Sequence, residues 1–435
     1  MKLDLDTLAA LPPPVERPRF DAAALRCGIV HLGLGAFHRA HQAVFTDEAI
    51  AGAGGDWGIV SVSMRRPAVA EALARQDGLY TVETLDCEPS YRVIGSIRRT
   101  LWLPGASQAV LQAIAAPNIH VVTLTVTETG YCLVRDALDT AHPDIVHDLE
   151  HPRSPRSAIG VLVAALALRR AAGGGPMTVI SCDNLAENGA RLSGAVLSLA
   201  SRWGNRLPDW IAAHVTFPES VVDCIVPAAT EESGARANRA LGVQDDASVQ
   251  RESFAQWVME DRFAGPYPAW VTAGAQIVPS CAEYRRLKLH VLNAAHSALA
   301  YLGMARGHER VREAAADPAI AEFLERMIGT EIAPALTALD VQGYWKKTAR
   351  RFGNPMLDHR LAQIAQDGAA KLSQRYSPLM LANLRSGLPY ARMAEVYAAW
   401  LRFMEASGAP VDVCGLADPV WREPALRTAI LKAEP

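Results

Sequence analysis

Short apolar runs alternate with helical patterns through the first 280 residues. The apolar run 27–32 and the β-branched run 120–126 predict buried strands. The amphipathic stretch 157–170, followed by three glycines and a proline, predicts a helix with a clear end. Further strands are predicted at 57–63, 80–84, 91–94 and 177–182, and further helices at 38–51 and 68–75. Strands and helices that alternate at this spacing predict a parallel, doubly wound sheet.

The pattern becomes almost purely helical near residue 281, and almost no strand pattern follows Val278. Helical stretches are predicted at 288–304, 309–316, 320–328, 356–370, 379–384 and 393–404. We therefore predict an α/β fold with two domains. A doubly wound sheet domain spans residues 1–280, and a mostly α-helical domain spans residues 281–435.

The composition is that of a soluble globular protein. Half of the 435 residues are hydrophobic, a fifth are charged and the formal net charge is −3, so we expect no nucleic-acid partner. The longest apolar stretch, 158–168, is too short to span a bilayer, and the acidic, proline-rich N-terminus is unlike a signal peptide. The seven cysteines are scattered without a CxxC pair, which argues against a thiolate metal site and favours the reducing cytoplasm.

A glycine-rich turn, Gly33-Leu34-Gly35, lies between the first predicted strand and the helix that follows it. Glycines in this context let a backbone approach the pyrophosphate of a dinucleotide at a helix N-terminus. We therefore predict a Rossmann-type domain. The cofactor contacts are predicted to come from Gly33, Gly35, Ala36, Phe37, His38 and Arg39. His38 takes the place of the usual third glycine, and the alternative is an ordinary strand-to-helix turn.

The second predicted strand ends in Ser63-Met64-Arg65-Arg66, without an acidic residue. NAD-selective sites usually carry Asp or Glu here, which binds the ribose hydroxyl, whereas an arginine accommodates the 2′-phosphate of NADP. Arg65 is therefore a candidate cofactor ligand. The alternative is that both arginines are solvated surface charges, so the sequence leaves the choice between NAD and NADP open.

The segment from Lys288 to His296 is apolar apart from a few polar side chains. On an α-helix, which turns about 100° per residue, Asn293 lies about 140° and His296 about 80° from Lys288, so all three share one side. A lysine whose pKa is lowered by burial can take the proton of an alcohol as its hydride leaves. Asn293 can donate to the developing alkoxide, and His296 can orient the lysine. The alternative is a buried structural network.

Three more positions carry candidate chemistry. Asn184 follows the strand predicted at 177–182 and is either a second donor to the alkoxide or a helix N-cap. Thr127 and Glu128 end another strand and either line the nicotinamide or simply leave the sheet. Asp223 lies inside an apolar run, which predicts a buried carboxylate with a lysine or asparagine partner.

Together these residues resemble the mannitol dehydrogenase family of polyol-specific long-chain dehydrogenases. The motifs that carry the resemblance cover nearly the whole chain: HLGLGAFHRAHQAVFTD (31–47), QDGLYTVE (76–83), TLTVTETGYC (123–132), SCDNLAENG (181–189), FPESVVDCIVP (217–227), KLHVLNAAHSALAYLG (288–303) and RFGNPMLDHRLAQIAQDGAAKLSQR (351–375). The resemblance implies a Rossmann-type domain followed by a helical domain. It also implies zinc-free, mostly NAD-dependent oxidation of a secondary alcohol, usually by a monomer.

The resemblance also implies roles for individual residues. Lys288 matches the general acid/base of the family, and Asn184 and Asn293 match its oxyanion-binding pair. His296 matches a contact to substrate or lysine, and Asp223 matches a position that handles substrate or protons. Arg285 departs from the glutamate that many mannitol dehydrogenases carry three residues before the lysine.

The substrate is expected to be a small sugar acid or sugar alcohol. The stretch 359–375 resembles the fructuronate reductase (D-mannonate oxidoreductase) branch, and a sugar acid needs a cation for its carboxylate. Arg360, Lys371 and Arg375 are candidates, with solvated surface charge as the alternative for each. A mannitol, arabinitol or sorbitol dehydrogenase is the alternative activity.

Two rival classes remain open at the level of sequence. Tyr284 and Lys288 match the YxxxK dyad of short-chain dehydrogenases, although that dyad belongs on a helix much closer to the glycine loop. The second rival is a nucleotide-binding protein that keeps the fold without catalysis.

Overall fold

The computed structural model describes residues 1–204, 206–337, 339–408 and 418–433, and Cys414 lies outside these ranges. The chain forms two compact units, Met1–Cys281 and Ala282–Pro435. The first unit is α/β and the second is helical.

The strands of the described chain all lie in the first unit. They are β1 (Cys27–Leu32), β2 (Gly58–Ser63), β3 (Tyr80–Leu85), β4 (Ser90–Ile94), β5 (Ile97–Trp102), β6 (Val121–Leu124), β7 (Leu133–Val134), β8 (Ala137–Leu138), β9 (Met177–Ser181), β10 (Val215–Thr216), β11 (Ser220–Asp223), β12 (Val249–Glu252), β13 (Gln256–Glu260) and β14 (Gln276–Val278).

Six of these strands form one parallel sheet in the order β10-β9-β6-β1-β2-β5. The chain runs from β1 to β2 on one side and later returns to β6 on the other side of β1. This reversal of strand order is a topological switch point, and ligands of such sheets bind outside the carboxyl ends of the strands there. The predicted parallel, doubly wound sheet is confirmed.

The main sheet is buried on both faces, as its nearly continuous apolar strands predict. Val30 and Leu32 of β1 pack into one core cluster, while Ile29 packs into another on the opposite face. Smaller sheets surround it: β12-β3-β4, β11-β13-β14 and the hairpin β7-β8. The strands predicted at 80–84 and 91–94 pair antiparallel, but in the sheet with β12.

The α-helices of the first unit are α1 (Ala36–Ala40), α2 (Gln42–Ala53), α3 (Ala68–Ala74), α4 (Leu103–Ala115), α5 (Pro143–Glu150), α6 (Ala158–Ala171), α7 (Asn188–Trp203), α8 (Leu207–His214) and α9 (Glu231–Leu241). Short 3₁₀ turns occur at Leu8–Ala10, Glu128–Tyr131 and Trp270–Ala273. Helix α6 begins where Ser157 accepts a hydrogen bond from the Gly160 amide, which is the N-cap arrangement that serine favours.

The single helix predicted over residues 38–51 is wrong, because the chain breaks at His41. His41 has φ −126° and ψ −86°, which separates α1 from α2. Its ring nitrogen Nε2 lies 2.9 Å from the Gln256 carbonyl oxygen, and its ring stacks on Phe37. These tertiary contacts favour a conformation that a local helical pattern does not predict.

The second unit consists of α10 (Ala282–Leu287), α11 (Ala294–Ala305), α12 (Val311–Ala316), α13 (Pro318–Met327), α14 (Val341–Phe352), α15 (Leu361–Ile364), α16 (Gly368–Arg375), α17 (Ser377–Ser386), α18 (Ala391–Ala406) and α19 (Pro424–Lys432). Two π-helical segments, Lys288–Asn293 and Ile328–Ile332, and two 3₁₀ turns, Ala333–Ala335 and Pro419–Arg422, complete it. Helix α11 is central, and its apolar residues share one core cluster with α12, α13, α14 and α18.

Two predicted helices of this unit differ in the structure. The stretch 288–304 is α-helical only from Ala294, because a π-helical segment precedes it. The stretch 356–370 is interrupted: Arg360 is extended, and Asp367 adopts the left-handed conformation with φ 57° between α15 and α16. A left-handed residue ends a helix, and a polar side chain such as aspartate tolerates it.

Within the described ranges, the helices are all too short or too polar to cross a membrane. The same residues contain no group of three His, Cys, Asp or Glu side chains placed to hold a metal ion.

Candidate active site

The glycine loop between β1 and α1 needs a glycine at its first position. Gly33 has φ +109°, and a Cβ atom there would lie 2.0 Å from the Thr125 carbonyl oxygen. The amides of Gly33 and Leu34 both donate to the Val62 carbonyl, at 2.9 and 3.0 Å. The loop is therefore held against the ends of β2 and β6 by backbone contacts that leave no space for a side chain.

Two stacked histidines, one before and one after the loop in sequence, lie next to it. The rings of His31 and His38 are parallel, with centroids 3.4 Å apart, and both are fully buried. His31 Nε2 lies 3.1 Å from the Gly33 carbonyl oxygen, while His38 Nε2 lies 2.9 Å from Ser61 Oγ. Burial lowers the pKa of His31 to about 3 and that of His38 well below its usual value, so both rings are neutral at pH 7.

Of the remaining predicted loop residues, Arg39 holds the loop in place, and none of Ala36, Phe37 and Arg39 is among the residues that line the cleft at the carboxyl ends of β1, β2 and β6. Arg39 is buried, donates through Nε to the Gly35 carbonyl at 3.3 Å and also donates to the Ala247 carbonyl. Its guanidinium lies over the Tyr80 ring. Ala36 and Phe37 are half-buried in the first turns of α1.

A cleft of about 490 Å³ opens at the carboxyl ends of β1, β2 and β6. This volume is in the usual range for ligand pockets, and the location is the switch point of the sheet. The residues that line it are Gly33, Leu34, Gly35, Ser63, Met64, Arg65, Arg66, Thr125, Val126, Thr127, Thr129, Gly130, Cys132, His142, Asp144, Arg156, Ser157 and Ala158. The predicted residues Gly33, Gly35, Arg65 and Thr127 are thus brought together, whereas Glu128 is exposed beside them.

The far wall of this cleft is a strained turn that follows β6. Thr127 has φ +67° and ψ 163°, a conformation that costs a β-branched residue free energy. The carboxylate of Asp183 accepts hydrogen bonds from the amides of Val126 and Thr127, at 2.9 and 3.0 Å, and from the Tyr131 hydroxyl at 2.7 Å. Burial raises the pKa of Asp183, while these three bonds oppose the rise. Asp183 therefore stabilises the strained turn.

Asn184 lies directly after Asp183, in an exposed turn at the carboxyl end of β9. The helix that follows, α7, begins at Asn188 with Glu187 as its cap residue, so Asn184 is not the N-cap of that helix. The alternative role as the N-cap of this helix is therefore excluded. Asp223 ends β11 and is only 5% exposed, as the prediction of a buried carboxylate requires.

The lysine segment of the helical unit is not an α-helix. Lys288–Asn293 is π-helical, between α10 and α11. A π-helix hydrogen-bonds residue i to residue i+5, so Asn293 follows Lys288 by slightly more than one turn and lies on the same side of the helix axis. The predicted separation of about 140° between these two residues, which assumed α-helical geometry, is therefore wrong. The π turn therefore brings the two positions closer in angle about the helix axis than an α-helix would.

The three predicted polar residues are, together with Leu289, the less buried positions of this region. Lys288, Asn293 and His296 are half-buried, whereas Val291, Leu292 and the alanines that follow Asn293 are buried. The His296 ring packs on Phe352, with centroids 4.6 Å apart. The segment therefore buries an apolar side and presents an amine, an amide and an imidazole at its edge.

The end of α16 supports the junction between the π turn and α11. Arg375 donates to the Asn293 carbonyl at 2.8 Å and to Ser297 Oγ at 2.7 Å, and the Tyr376 hydroxyl donates to the Ala294 carbonyl. His290 Nδ1 lies 2.7 Å from the Arg375 carbonyl oxygen. The guanidinium of Arg375 is thus occupied in positioning Asn293.

The other predicted cations have different surroundings. Lys371 is half-buried, and its Nζ donates to the Ile364 carbonyl at 3.1 Å, while burial lowers its pKa. Arg360 is exposed at the start of α15. Tyr284 and Arg285 are half-buried on the short helix α10, in the helical unit.

The sequence interpretation missed His31, Asp183 and Arg156 as residues that build the cleft. Asp183 carried one signal, because it directly follows an apolar strand and precedes a candidate donor. His31 gave none, because a histidine inside a strand has no local pattern that predicts a stacked partner.

Comparison with known proteins assigns the chain to a family. A family model described as mannitol dehydrogenase Rossmann domain matches residues 27–272, and one described as mannitol dehydrogenase C-terminal domain matches residues 280–434. The chain belongs to the mannitol dehydrogenase family. The predicted family, the fold class and the prediction of a dehydrogenase are confirmed.

Similar proteins carry names from two branches of this family. A D-mannonate oxidoreductase of Escherichia coli (strain K12) is 40% identical over 94% of this chain and 86% of its own length. A mannitol 2-dehydrogenase of Phaeosphaeria nodorum is 37% identical over 97% of this chain and 76% of its own length. The solved Pseudomonas fluorescens mannitol 2-dehydrogenase, in ternary complex with NAD and D-mannitol, is 35% identical with a TM-score of 0.83, covering 100% of this chain and 92% of that one.

Proposed function

We propose that this protein is an NAD-dependent, zinc-independent dehydrogenase that interconverts a secondary alcohol and a ketone on a sugar acid or sugar alcohol. Lys288 is its general acid/base, and D-mannonate and D-fructuronate are the favoured pair of substrates. The observation that carries the proposal is the π-helical turn Lys288–Asn293, which puts a half-buried amine and a half-buried amide on the same side of an otherwise apolar segment.

Lys288 takes the hydroxyl proton during oxidation and returns it during reduction. Bound NAD supplies the hydride acceptor, but the hydroxyl proton needs a base within hydrogen-bond reach. Lys288 is half-buried, and burial of an amine favours its neutral form, which can accept a proton. Lys288 is followed by buried residues of the α11 core, so its backbone is held by packing.

Asn293 donates its side-chain amide to the substrate oxygen as negative charge develops there. Fixed donors that point at such an oxygen stabilise the transition state more than the ground state. The bonds from Arg375 and Tyr376 to the carbonyls at positions 293 and 294 fix this part of the backbone. Asn184 is the second proposed donor, and His296 contacts the substrate or the lysine.

NAD is the cofactor, and the residues of the first unit fit it. Gly33 approaches the end of β6 closely and lines the cleft with backbone atoms alone. The cleft lies at the switch point of a parallel sheet, where dinucleotides bind. Gly33, Gly35 and Thr127 line it and would contact the dinucleotide directly, with Ala36, Phe37, His38, Arg39 and Glu128 around them.

A sugar acid is favoured over a polyol by the sequence of one segment. The stretch 359–375 resembles the fructuronate reductase branch, and a relative named D-mannonate oxidoreductase is 40% identical. Arg360 is exposed and can pair with a carboxylate, whereas the amine of Lys371 already binds the Ile364 carbonyl. Asp223, which is buried, would bind a substrate hydroxyl. A mannitol 2-dehydrogenase is the second candidate, favoured by the solved relative.

A substrate panel tests the proposal. We expect the highest kcat/KM with NADH and D-fructuronate, or with NAD and D-mannonate, and lower values with D-mannitol, D-arabinitol and D-sorbitol. The same rates after treatment with a chelator are expected for a zinc-independent enzyme. Greater kcat/KM for D-mannitol would favour the second candidate, and no turnover of any of these compounds would contradict the proposal.

A further inference from the structure

The turn that follows β2 has an unusual charge for a site that binds NAD. β2 is the neighbour of β1 in the sheet, so its carboxyl end borders the glycine loop. The next residues are Met64, Arg65, Arg66 and Pro67, and the first acidic residue after the strand is Glu71, inside α3. A carboxylate in this turn would bind the ribose hydroxyls and repel a 2′-phosphate, whereas arginine attracts the phosphate.

Side-chain hydrogen bonds hold this turn in place. The Ser63 hydroxyl donates to the Arg66 carbonyl at 2.5 Å, and the Trp102 indole donates to the Arg65 carbonyl at 3.1 Å. Both arginine backbones are therefore tied to the sheet. Their side chains are exposed and line the cleft together with Gly33 and Gly35. An anchored backbone with a solvent-exposed guanidinium loses less entropy when the guanidinium binds an anion.

A third arginine, Arg156, also lines this cleft. Arg156 lies just before Ser157, the N-cap of α6, and both line the cleft. Three arginines and one acidic residue, Asp144, thus line a cleft in a chain whose formal net charge is −3. Among the described residues, no ion pair engages any of these three guanidinium groups. The cleft therefore offers uncompensated positive charge to a ligand.

We propose that Arg65 and Arg66 form a subsite for the 2′-phosphate of NADP, so that this dehydrogenase binds NADP as well as NAD. The proposal rests on the proposed function only in placing a nicotinamide dinucleotide in this cleft. A phosphate monoester carries up to two negative charges and accepts paired hydrogen bonds from a guanidinium. NAD has only a hydroxyl at that position and loses none of its other contacts to the cleft.

Binding measured without substrate tests the subsite independently of turnover. The dissociation constants of NADH and NADPH are measured by the quenching of tryptophan fluorescence in wild type, Arg66→Ala, Arg66→Asp and the control Arg75→Ala. Arg75 is an exposed arginine at the end of α3 that is not among the residues lining the cleft. In wild type we expect NADPH to bind within about tenfold of NADH, which corresponds to a difference of about 1.4 kcal/mol.

The ratio of the two dissociation constants is the decisive quantity. Arg66→Ala should raise the dissociation constant of NADPH relative to that of NADH by about tenfold. Arg66→Asp should raise this ratio further, because a carboxylate repels the phosphate. Arg75→Ala should leave the ratio unchanged. Higher salt should weaken NADPH binding more than NADH binding, because screening acts on the extra charge. Melting temperatures near that of wild type would show that the variants are folded.

The outcomes separate this inference from the proposed function. Binding of NADH with no detectable binding of NADPH, or a ratio that Arg66→Asp does not change, would overturn the subsite and leave the NAD-dependent dehydrogenase standing. Binding of neither nucleotide would overturn both. Binding of NADPH alone, sensitive to Arg66, would support the subsite and contradict the assignment of NAD.

Discussion

The glycine loop of the nucleotide-binding unit and the lysine segment of the helical unit achieve their geometry by opposite means. The loop depends on the absence of a side chain, because Gly33 approaches Thr125 so closely that any added atom would clash. The lysine segment works through side chains, and its π turn is held by donors from Arg375 and Tyr376. The loop is thus sensitive to added atoms, and the lysine segment is sensitive to removed groups.

The largest effect should come from removing the base. Lys288→Ala is expected to lower kcat by about 10³-fold, within the range that general acid–base catalysis contributes, while the dissociation constant for NADH changes little. Steady-state kinetics and NADH titration measure the two quantities. Lys346→Ala, an exposed lysine on α14, is the matched control and should keep wild-type rates. A kcat within a few-fold of wild type for Lys288→Ala would contradict the assigned role.

Removal of the proposed donor should have the next largest effect. Asn293→Ala is expected to lower kcat by about 10²-fold, as the loss of one oxyanion donor does in other enzymes. Asn118→Ala is the control, because Asn118 lies in an exposed turn and its amide binds the Cys27 carbonyl. Equal losses of rate in both variants would indicate that the effect of Asn293→Ala is only structural.

Added atoms in the loop should act on folding and on cofactor binding separately. Gly33→Ala is expected to lower the free energy of unfolding by about 3 kcal/mol, because it combines a positive φ with a clash.

At Gly35 the φ is −100° and the nearest atom to an added Cβ is 3.8 Å away, so Gly35→Ala should fold normally. It should still weaken NADH binding by about tenfold, since the methyl group faces the pyrophosphate. Chemical denaturation and NADH titration distinguish the two, and normal NADH affinity in Gly35→Ala would remove this glycine from the binding surface.

The smallest effect concerns acid stability. The folded pKa of His31 is about 3, below its value of 6.5 in an unfolded chain. Protonation therefore favours the unfolded state, so the contribution of His31 is complete above pH 6.5 and is lost as the pH falls towards 3. At pH 5 the loss amounts to about 2 kcal/mol. His31→Asn should show a flatter dependence of unfolding free energy on pH between 7 and 5, and an unchanged slope would contradict the buried, neutral state of His31.

Local signals account for what could be predicted from the sequence. Gly33 forms the predicted turn between a strand and a helix, and the helix predicted at 157–170 is present at Ala158–Ala171. Both features depend on neighbours in the chain. The break at His41 and the left-handed Asp367 depend on tertiary contacts or on one backbone angle, which periodicity does not reveal.

The lysine segment shows that candidate residues can be chosen from the sequence with the wrong helix geometry. The spacing of five between Lys288 and Asn293 fits a π turn better than an α-helix, but an interpretation at 3.6 residues per turn assumes the α-helix from the start. The donors that support the π turn, on α16, are about 80 residues away in sequence. No pattern within the segment itself predicts them.

The most direct test of Lys288 as the acid/base is chemical rescue of Lys288→Ala by small primary amines. The variant would be assayed with methylamine and ethylamine at several pH values, with a tertiary amine of similar pKa as control. We predict that kcat rises by about tenfold or more with the concentration of the free base, because the added amine replaces the missing proton acceptor. A variant that binds NADH normally but gains no rate from any primary amine would contradict the claim that Lys288 transfers the proton.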